Sequence, residues 1–196
     1  MYERYFQMFN KKVCLTEQEQ ELIKTYLTVK KIRKRQYLLR EGDVCKCVAF
    51  VEKGALRLYR VNEDGSEHIV VFALDGSFMT DLYSFFTNET SMYNIDAIED
   101  SELVLITKSA SDELRKISSK YQEFIFLATS EAYIQQEKRI TSVISLNLEE
   151  RYLELTTKYP DIIQRVPQHM IASYLGLNPA TLSRIRKRIR LISKNS

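Results

Sequence analysis

A run of basic side chains stands near the end of the chain, where residues 182–190 read LSRIRKRIR. An arginine guanidinium can donate two hydrogen bonds to guanine O6 and N7, and serine or threonine hydroxyls can reach phosphates and base edges. Lysine and arginine also add affinity for any nucleic acid, because they displace counterions from its phosphates. The chemistry that this segment predicts is recognition of a polyanion.

The charge of the chain is distributed unevenly, and this region holds the basic excess. Residues 162–196 contain seven of the 29 Lys and Arg residues and none of the 26 Asp and Glu residues. The other 161 residues therefore carry 22 basic against 26 acidic side chains, although the net charge of the whole chain is only +3. A basic end on an acidic body favours nucleic acid or an anionic membrane as the partner.

Two short helices joined by a turn are expected to position the basic run. Pro167 fits the first turn of a helix that ends near Leu175, and Gly176 fits the position just after its C-terminus. Asn178 is a strong N-cap for the next helix, and Pro179 fits its first position. The stretch MIASYLGLNPATLSRIRKRI thus predicts a helix-turn-helix, a unit that can lay its second helix in a major groove.

The second helix has two different faces. At 100° per residue, Leu182, Ile185 and Ile189 fall within about 60° of one another and must pack inward. A membrane-surface helix is disfavoured, because this apolar face is narrow and has no Trp or Phe. The alternative of a solvated helix in an ordinary bundle remains, but the outward face is rich in groups that can contact DNA: Ala180, Ser183, Arg184 and Lys187, flanked by Thr181 and Arg188.

Glycine punctuates the first half of the chain at positions 42, 54, 65 and 76. Short strands with turn signals about 8–12 residues apart are typical of a barrel or sandwich, so we predict a β-roll from about Leu38 to Thr107. The stretch NEDGSE predicts a hairpin with a type I′ turn. The basic run Lys30–Gln36 is interpreted as a solvated helix end or a loop in preference to a binding arm. The predicted strands are CVAFVE, LRLYRV, HIVVFA, YNIDAI and ELVLIT.

A region without glycine or proline runs from Ser109 to about Thr157, and its composition predicts helix. Ser111 and Asp112 are expected to cap its start. Ahead of the roll, the stretch TEQEQELIKTYL predicts another helix, with a capping box between residues 16 and 19.

An apolar stripe in this helical region has the spacing of a coiled-coil seam. Tyr121, Ile125, Ala128 and Ala132 follow one another at intervals of four, three and four residues. Such a stripe can pair with a partner helix. The alternative is that it packs on the β-roll of its own chain.

Catalytic and metal-binding functions are disfavoured. Cys14, Cys45 and Cys47 show no disulfide framework, which favours a reducing cytosol. His68 and His169 stand alone, and no nucleophile motif or ligand cluster accompanies them, so we expect neither an enzyme nor a metal site. The sequence has no signal-like or membrane-spanning run. We therefore expect a cytoplasmic protein without a cofactor and without membrane contact.

The glycine-punctuated roll, the long helical region and the stretch PQHMIASYLGLNPATLSRIRKRI together resemble the Crp/Fnr family of bacterial transcription regulators. The match is strongest at Ala172, Gly176, Leu182 and Ile185. The resemblance implies a homodimer that binds double-stranded DNA, with RNA polymerase as a further partner. It also implies an α+β fold in three parts: a cyclic-nucleotide-binding-like jelly roll with an N-terminal helix (1–108), a connecting dimerisation helix (109–146) and a winged helix-turn-helix (147–196).

The resemblance also assigns roles within the second helix of the helix-turn-helix. Ser183 and Arg184 fall where family members contact base edges, and Asn178 and Thr181 fall where they contact phosphate. The two positions before Thr181 hold Pro and Ala, where cyclic-AMP-responsive members have Arg and Glu. The operator sequence of those members therefore does not carry over to this chain.

The effector site of the family is not reproduced. Members that bind cyclic nucleotides have a Phe-Gly-Glu-Leu cassette and then an Arg-Ala pair. Here Met79 and Thr80 stand near the Gly and Glu positions, Asp81 can replace the Glu only with a one-residue shift, and Ser91 stands at the Arg position. Burying an anionic phosphate without a paired cation is costly. We therefore do not expect cyclic AMP to bind, and Thr80, Asp81 and Ser91 remain only weak effector-pocket candidates.

Two other sensing chemistries of the family also lack their residues. Oxygen-sensing members carry an N-terminal cysteine cluster for an iron–sulfur centre, whereas this chain has only Cys14 there. Haem binding would need a histidine in the roll, and His68 beside the hairpin is better explained as a surface residue. The alternative function is a receptor for a cyclic nucleotide or another small molecule, with a basic C-terminal domain that docks a protein partner.

Overall fold

The computed structural model describes residues 2–192, and it describes side chains as far as Ile189. Two four-stranded antiparallel sheets form a roll in the first half of the chain. The strands are β1 Thr28–Ile32, β2 Tyr37–Leu39, β3 Cys47–Lys53, β4 Ala55–Val61, β5 Glu67–Leu74, β6 Phe78–Met79, β7 Asn94–Ala97 and β8 Ser101–Thr107.

Helices flank the roll and make up the rest of the described chain. Two precede it, one short helix lies within it, and six follow it. They are α1 Glu3–Asn10, α2 Glu17–Lys24, α3 Leu82–Thr87, α4 Lys108–Ile117, α5 Ser119–Ser145, α6 Leu148–Lys158, α7 Ile162–Arg165, α8 Gln168–Tyr174 and α9 Pro179–Ile192.

The two sheets face each other across an apolar core. One sheet has the order β1-β8-β3-β6 and the other has the order β2-β7-β4-β5. Side chains alternate along each strand, so Leu56 and Leu58 of β4 point into the roll core. Their neighbours Ala55 and Tyr59 lie on the opposite face and belong to a second cluster that includes the C-terminal helices. The outer face of the second sheet is therefore the surface on which those helices pack.

All five predicted strands are present, but the roll begins earlier than predicted. The interpretation of Lys30–Gln36 as a helix end or loop was wrong at its start, because Lys30 and Lys31 belong to β1 and pair with β8. Lys31 forms an ion pair with Glu102, at 2.7 Å. β1 is an edge strand, where lysine is common because its charge faces water. A basic run is therefore compatible with a strand in this position.

The hairpin between β4 and β5 is present, but its turn is not type I′. A type I′ turn needs positive φ at both central residues, whereas only Gly65 of this loop has it, at +79°. The Gly65 N–H donates to the Asn62 carbonyl, and the Asn62 N–H donates to the Ser66 carbonyl, both at 2.9 Å. A three-residue loop with a left-handed glycine at its end explains the geometry.

Gly54, between β3 and β4, is held by two constraints. Its φ is +115°, and a Cβ there would lie 2.7 Å from the Ser101 Cα. We expect Gly54→Ala to lower the free energy of unfolding by about 2 kcal/mol or more, because strain and backbone overlap both contribute. Gly65→Ala is the matched control, since a Cβ at Gly65 meets nothing within 4 Å. Urea unfolding of both variants checks this, and equal losses would contradict it.

The helical region after the roll is divided into three helices. Thr107, and not Ser111 or Asp112 as predicted, caps α4 by accepting from the Ala110 N–H. Ser118 ends α4 and caps α5. The capping box between residues 16 and 19 of α2 is confirmed, and a similar box starts α6 at Asn147. Short polar side chains therefore set the breaks that a search for glycine and proline could not find.

The predicted partner-helix seam packs within its own chain. Tyr121 is fully buried, and its hydroxyl lies 3.0 Å from the Ser111 hydroxyl. Phe9 of α1 stacks on the neighbouring Phe124, with ring centroids 3.9 Å apart. Ile125 and Ala128 pack against the same cluster, whereas Ala132 is exposed. The seam prediction was wrong for this stripe. The alternative of packing on the β-roll of the same chain is confirmed for its buried part, because the cluster includes the strand residues Phe50, Val104 and Ile106.

Candidate nucleic-acid interface

The predicted helix-turn-helix is present in the C-terminal helices. α8 ends at Tyr174, and Gly176 follows it with φ +70°. The Asn178 carboxamide oxygen accepts a hydrogen bond from the Thr181 N–H at 2.8 Å, so Asn178 caps α9. The glycine permits the left-handed turn, and the cap begins the next helix immediately. These local features fix the position of α9 relative to α8.

The faces of α9 are arranged as predicted. Leu182 and Ile185 are 1% and 7% exposed, and they share an apolar cluster with Ile171 and Ala172 of α8. Ile189 is partly buried against the same cluster. The opposite side faces outward, and its exposed residues include Ala180, Ser183, Arg184, Lys187 and Arg188.

Two of the outward arginines have partners within the chain. Arg184 donates to the Thr181 hydroxyl at 3.1 Å. Arg188 forms an ion pair with Glu149 of α6 at 2.9 Å, although its side chain stays 71% exposed. An exposed ion pair is worth little, so both guanidinium groups can exchange these partners for phosphate or base acceptors. Of the predicted contact residues, Thr181 is half-buried, whereas the others are exposed on α9 or at its N-terminus: Asn178, Ser183, Arg184, Lys187 and Arg188.

The wing of the predicted winged helix-turn-helix is not seen in the described part of the chain, because residues 108–192 contain helices without strands. Two of the seven basic residues counted in 162–196 are not fully described. The side chain of Arg190 and the whole of Lys194 lie outside the described part of the chain.

Arg165 is one of the basic residues near the end of the chain, but it contacts the roll and is not on the face proposed to bind a polyanion. Its Nη2 donates to the Gly54 carbonyl at 2.8 Å and to Asp75 at 3.0 Å, and the guanidinium also pairs with Glu99. Desolvation raises the pKa of Asp75, but hydrogen bonds from Arg165 and the Gly54 N–H outweigh it and lower that pKa. The arginine attaches α7 to three turns of the roll.

Two further polar side chains, Ser173 and Arg139, hold the helix-turn-helix on the roll. The Ser173 hydroxyl of α8 donates to the Glu67 carbonyl at 2.7 Å and accepts from the Ile69 N–H at 3.0 Å. Arg139 of α5 donates to the Val70 carbonyl and lies 4.1 Å from the centre of the Tyr174 ring. Together with Arg165, these side chains were not identified from the sequence, because their partners lie 66–111 residues away in the chain.

The weak effector-pocket candidates serve local structure. The Asp81 carboxylate is buried and caps α3 by accepting from the Tyr83 and Ser84 N–H groups. The Ser91 hydroxyl is tied to both backbone groups of Tyr93, at 3.0 and 3.2 Å. The Thr80 hydroxyl donates to the Cys47 carbonyl at 3.2 Å. Each candidate already has intramolecular partners.

The remaining sequence candidates stand apart. Cys45 is buried, Cys47 is half-buried and Cys14 is exposed. Burial raises the pKa of the Cys47 thiol. His68 and His169 are both exposed. Over residues 2–192, no group of three or more His, Cys, Asp or Glu side chains is arranged to hold a metal ion. Within the same residues, no helix combines the length and the apolar composition of a membrane span.

Comparisons with known proteins agree with this geometry. Residues 29–118 match the model of the cyclic nucleotide-binding domain. The chain is 27% identical to the Anaerobic regulatory protein of Haemophilus influenzae, in an alignment that covers 90% of this chain and 72% of that protein. It is 26% identical to the Fumarate and nitrate reduction regulatory protein of Vibrio cholerae, over 90% of this chain and 74% of that one.

The fold is also similar to a solved structure, that of FixK2 from Bradyrhizobium japonicum. The TM-score is 0.70 at 20% sequence identity, over 85% of this chain and 86% of FixK2. At this identity the likeness concerns the fold.

Proposed function

We propose that this chain, a Crp/Fnr-type transcription regulator with a cyclic nucleotide-binding domain, binds a palindromic DNA operator as a homodimer. The observation that carries this proposal is the two-faced helix α9. Its aliphatic side is hidden against α8, and its basic side is open to solvent. An exposed basic helix that follows a helix-turn is the element that enters a major groove.

We assign separate roles to the residues of α9 and its cap. Ser183 and Arg184 lie in the middle of the exposed side and would contact base edges. Asn178 and Thr181, at the N-terminus of the helix, would contact phosphate through their hydroxyl or amide groups. The two remaining cations of this face, Lys187 and Arg188, would add sequence-independent affinity.

Dimerisation is supported by a stripe of exposed apolar side chains on α5. Phe126, Tyr133, Ile140 and Ile144 are 69%, 71%, 54% and 78% exposed. At 100° per residue they fall within about 40° of one another. Large apolar side chains that line one face of a 27-residue helix indicate a protein contact. We propose that two copies pair through this stripe, called the α5 stripe below, and not through the Tyr121 seam.

Symmetric pairing explains how two copies could read one operator. A two-fold axis makes each protomer use the same surface. It also presents two α9 helices to the DNA, where half-sites one helical turn apart lie in successive major grooves. A palindromic operator matches that symmetry.

Arg184→Ala directly tests whether α9 contacts the bases of the operator. We expect it to lower the affinity for the cognate operator by about 1–3 kcal/mol and to relax specificity at one base pair, because a guanidinium can make a bidentate contact with guanine. Fluorescence anisotropy on cognate and single-substituted operators measures both effects. Arg60→Ala on the exposed end of β4 is the control. If Arg184→Ala binds cognate and scrambled DNA as the parent does, the assigned role is wrong.

Cyclic AMP is not expected to be the effector. Ser91 offers no positive charge at the position where the family places an arginine, and its hydroxyl is engaged with Tyr93. An anionic phosphate buried there would lack a paired cation. In titration calorimetry we expect no saturable heat with cyclic AMP. Micromolar binding would contradict this interpretation and favour the alternative of a small-molecule receptor.

The place of action and the further partners follow from the proposed function. We propose that the protein acts in the cytoplasm, where operators are accessible, and that RNA polymerase is a further partner. The relatives are named as regulators and not as enzymes, which supports the expectation that this chain has no catalytic activity.

A further inference from the structure

A cleft lies between the long helix α5 and the helices α6 and α8 of the C-terminal part. Its volume is about 80 Å³, several times the roughly 10–15 Å³ that one water needs. Four of its lining side chains are cationic and one is anionic: Lys138, Arg139, Arg151 and Lys158, with Glu154. The cleft therefore combines space with an excess of positive charge.

The one carboxylate of the cleft does not cancel this charge. Glu154 accepts a hydrogen bond from the Ser142 hydroxyl. Lys158 donates to the amide oxygen of Gln135 at 2.8 Å, which is a neutral partner. Desolvation has the largest effect on the pKa of Lys158 and lowers it. Glu154 and, more weakly, Glu131 raise this pKa, whereas Arg139 and Lys138 lower it. The cations of the cleft repel one another, and a bound anion would relieve this.

Arg151 supplies a second and independent observation. Its Nε atom is shut off from solvent and has no hydrogen-bond partner among the residues that the structure describes. Buried polar atoms in native proteins almost always have a partner. Arg151 also lines the cationic cleft, so an anion bound there could supply the acceptor that this side chain lacks.

We propose that this cleft binds a small phosphate-bearing anion, held by Arg151, Lys158 and Lys138. Arginine and lysine are the side chains that bind phosphate most often, because charge-assisted N–H···O bonds are short and strong. The available volume fits one phosphate group more readily than a whole nucleotide. The ligand is therefore inorganic phosphate or the phosphate of a small phosphomonoester.

The position of the cleft agrees with a regulatory ligand. At 100° per residue, Gln135, Arg139 and Ser142 lie on the side of α5 opposite to the α5 stripe, so pairing through the stripe leaves the cleft open. An anion there would bridge Lys138 of α5 to Arg151 of α6 and fix the angle between them. Any effect of the bound anion on operator affinity depends on the proposed function, whereas the binding of the anion to the cleft does not.

The test is a direct binding measurement on the full chain without DNA. Inorganic phosphate and glycerol 3-phosphate are titrated separately by calorimetry, in a phosphate-free buffer with chloride at matched ionic strength. We expect saturable binding, and the tighter of the two ligands identifies the source of the phosphate. Arg151→Gln and Lys138→Gln should each weaken binding about tenfold or more, as expected for the loss of one charge-assisted hydrogen bond.

Two controls make the result decisive. Lys116→Gln removes an exposed charge on α4 and should bind the anion as the parent does. Because Arg151 is partly buried, its variant can misfold, whereas Lys138 is exposed, so Lys138→Gln tests the site in a folded chain. No saturable binding above chloride, or unchanged affinity in Lys138→Gln, overturns the proposal. If Arg151→Gln or Lys138→Gln loses affinity for DNA but keeps its affinity for phosphate, the proposal is also overturned, because the cleft would then be a DNA contact.

Discussion

The double substitution Tyr133→Glu/Ile140→Glu is expected to leave the protein monomeric and to lower its operator affinity by about 10²–10⁴-fold. The affected side chains are 71% and 54% exposed in one chain, and they lie near the middle of the α5 stripe. In a two-fold dimer the four introduced carboxylates would face one another, and burying like charges is strongly unfavourable. The α9 helix of one protomer would then no longer be tethered to that of its partner, and the gain from two linked DNA contacts would be lost.

Sedimentation velocity measures the oligomeric state, and anisotropy measures the operator affinity of the same preparation. Ser145→Glu is the control, because it places a carboxylate on α5 about 100° away from Ile144 and should leave the dimer intact. Ile140→Leu keeps the apolar character of the stripe and should behave in the same way. A double variant that stays dimeric would show that another surface pairs the two copies.

Replacing Arg57 by Met is expected to lower the free energy of unfolding by about 3–5 kcal/mol, because it leaves a buried carboxylate without its cation. Arg57 is 7% exposed and Asp96 is 5% exposed. The guanidinium donates to both carboxylate oxygens of Asp96, at 2.7 and 2.9 Å, and it also pairs with Glu67. It lies 4.0 Å from the centre of the Tyr59 ring, so Asp96, Glu67 and Tyr59 lose a partner together.

Arg60→Met is the matched control for this prediction. Arg60 is on the same strand but is exposed, and its loss should change stability by at most about 0.5 kcal/mol. The pair Arg57→Met/Asp96→Leu should recover much of the loss, because it removes the unpaired charge. Urea unfolding followed by circular dichroism gives all three values. A single variant no less stable than Arg60→Met would mean that the Arg57 network contributes little.

The parts of this fold that could be predicted are those set by neighbours in sequence. The turn at Gly176 and the cap at Asn178 depend on residues within one helical turn, and both were predicted correctly. The inward face of α9 follows from helical geometry, so Leu182 and Ile185 could also be identified. The positions of the proposed contact residues were predictable to the same extent, because these residues lie on α9 or at its cap.

The parts that could not be predicted depend on partners distant in sequence. β1 is a strand because β8 pairs with it, and its lysines conceal the pattern. Tyr121 has the spacing of a partner-helix seam, yet α1 from the other end of the chain packs beside it. The α5 stripe did have a sequence signal, since Phe126, Tyr133 and Ile140 are seven residues apart.

The hydrophobic cluster that joins the second sheet to α6–α9 has a consequence for engineering. Proteins that share this fold invite the construction of chimeras in which the C-terminal helices of one protein, α6–α9 here, replace those of another. In this protein the C-terminal helices and the second sheet contribute side chains to one hydrophobic core, so the two parts are not joined by a simple linker. The core includes Ile69, Phe72, Ile162 and Val166. C-terminal helices taken from another protein would pack against a surface of β4 and β5 that does not match them. A working chimera would have to take the outward-facing residues of those two strands from the same protein as the C-terminal helices.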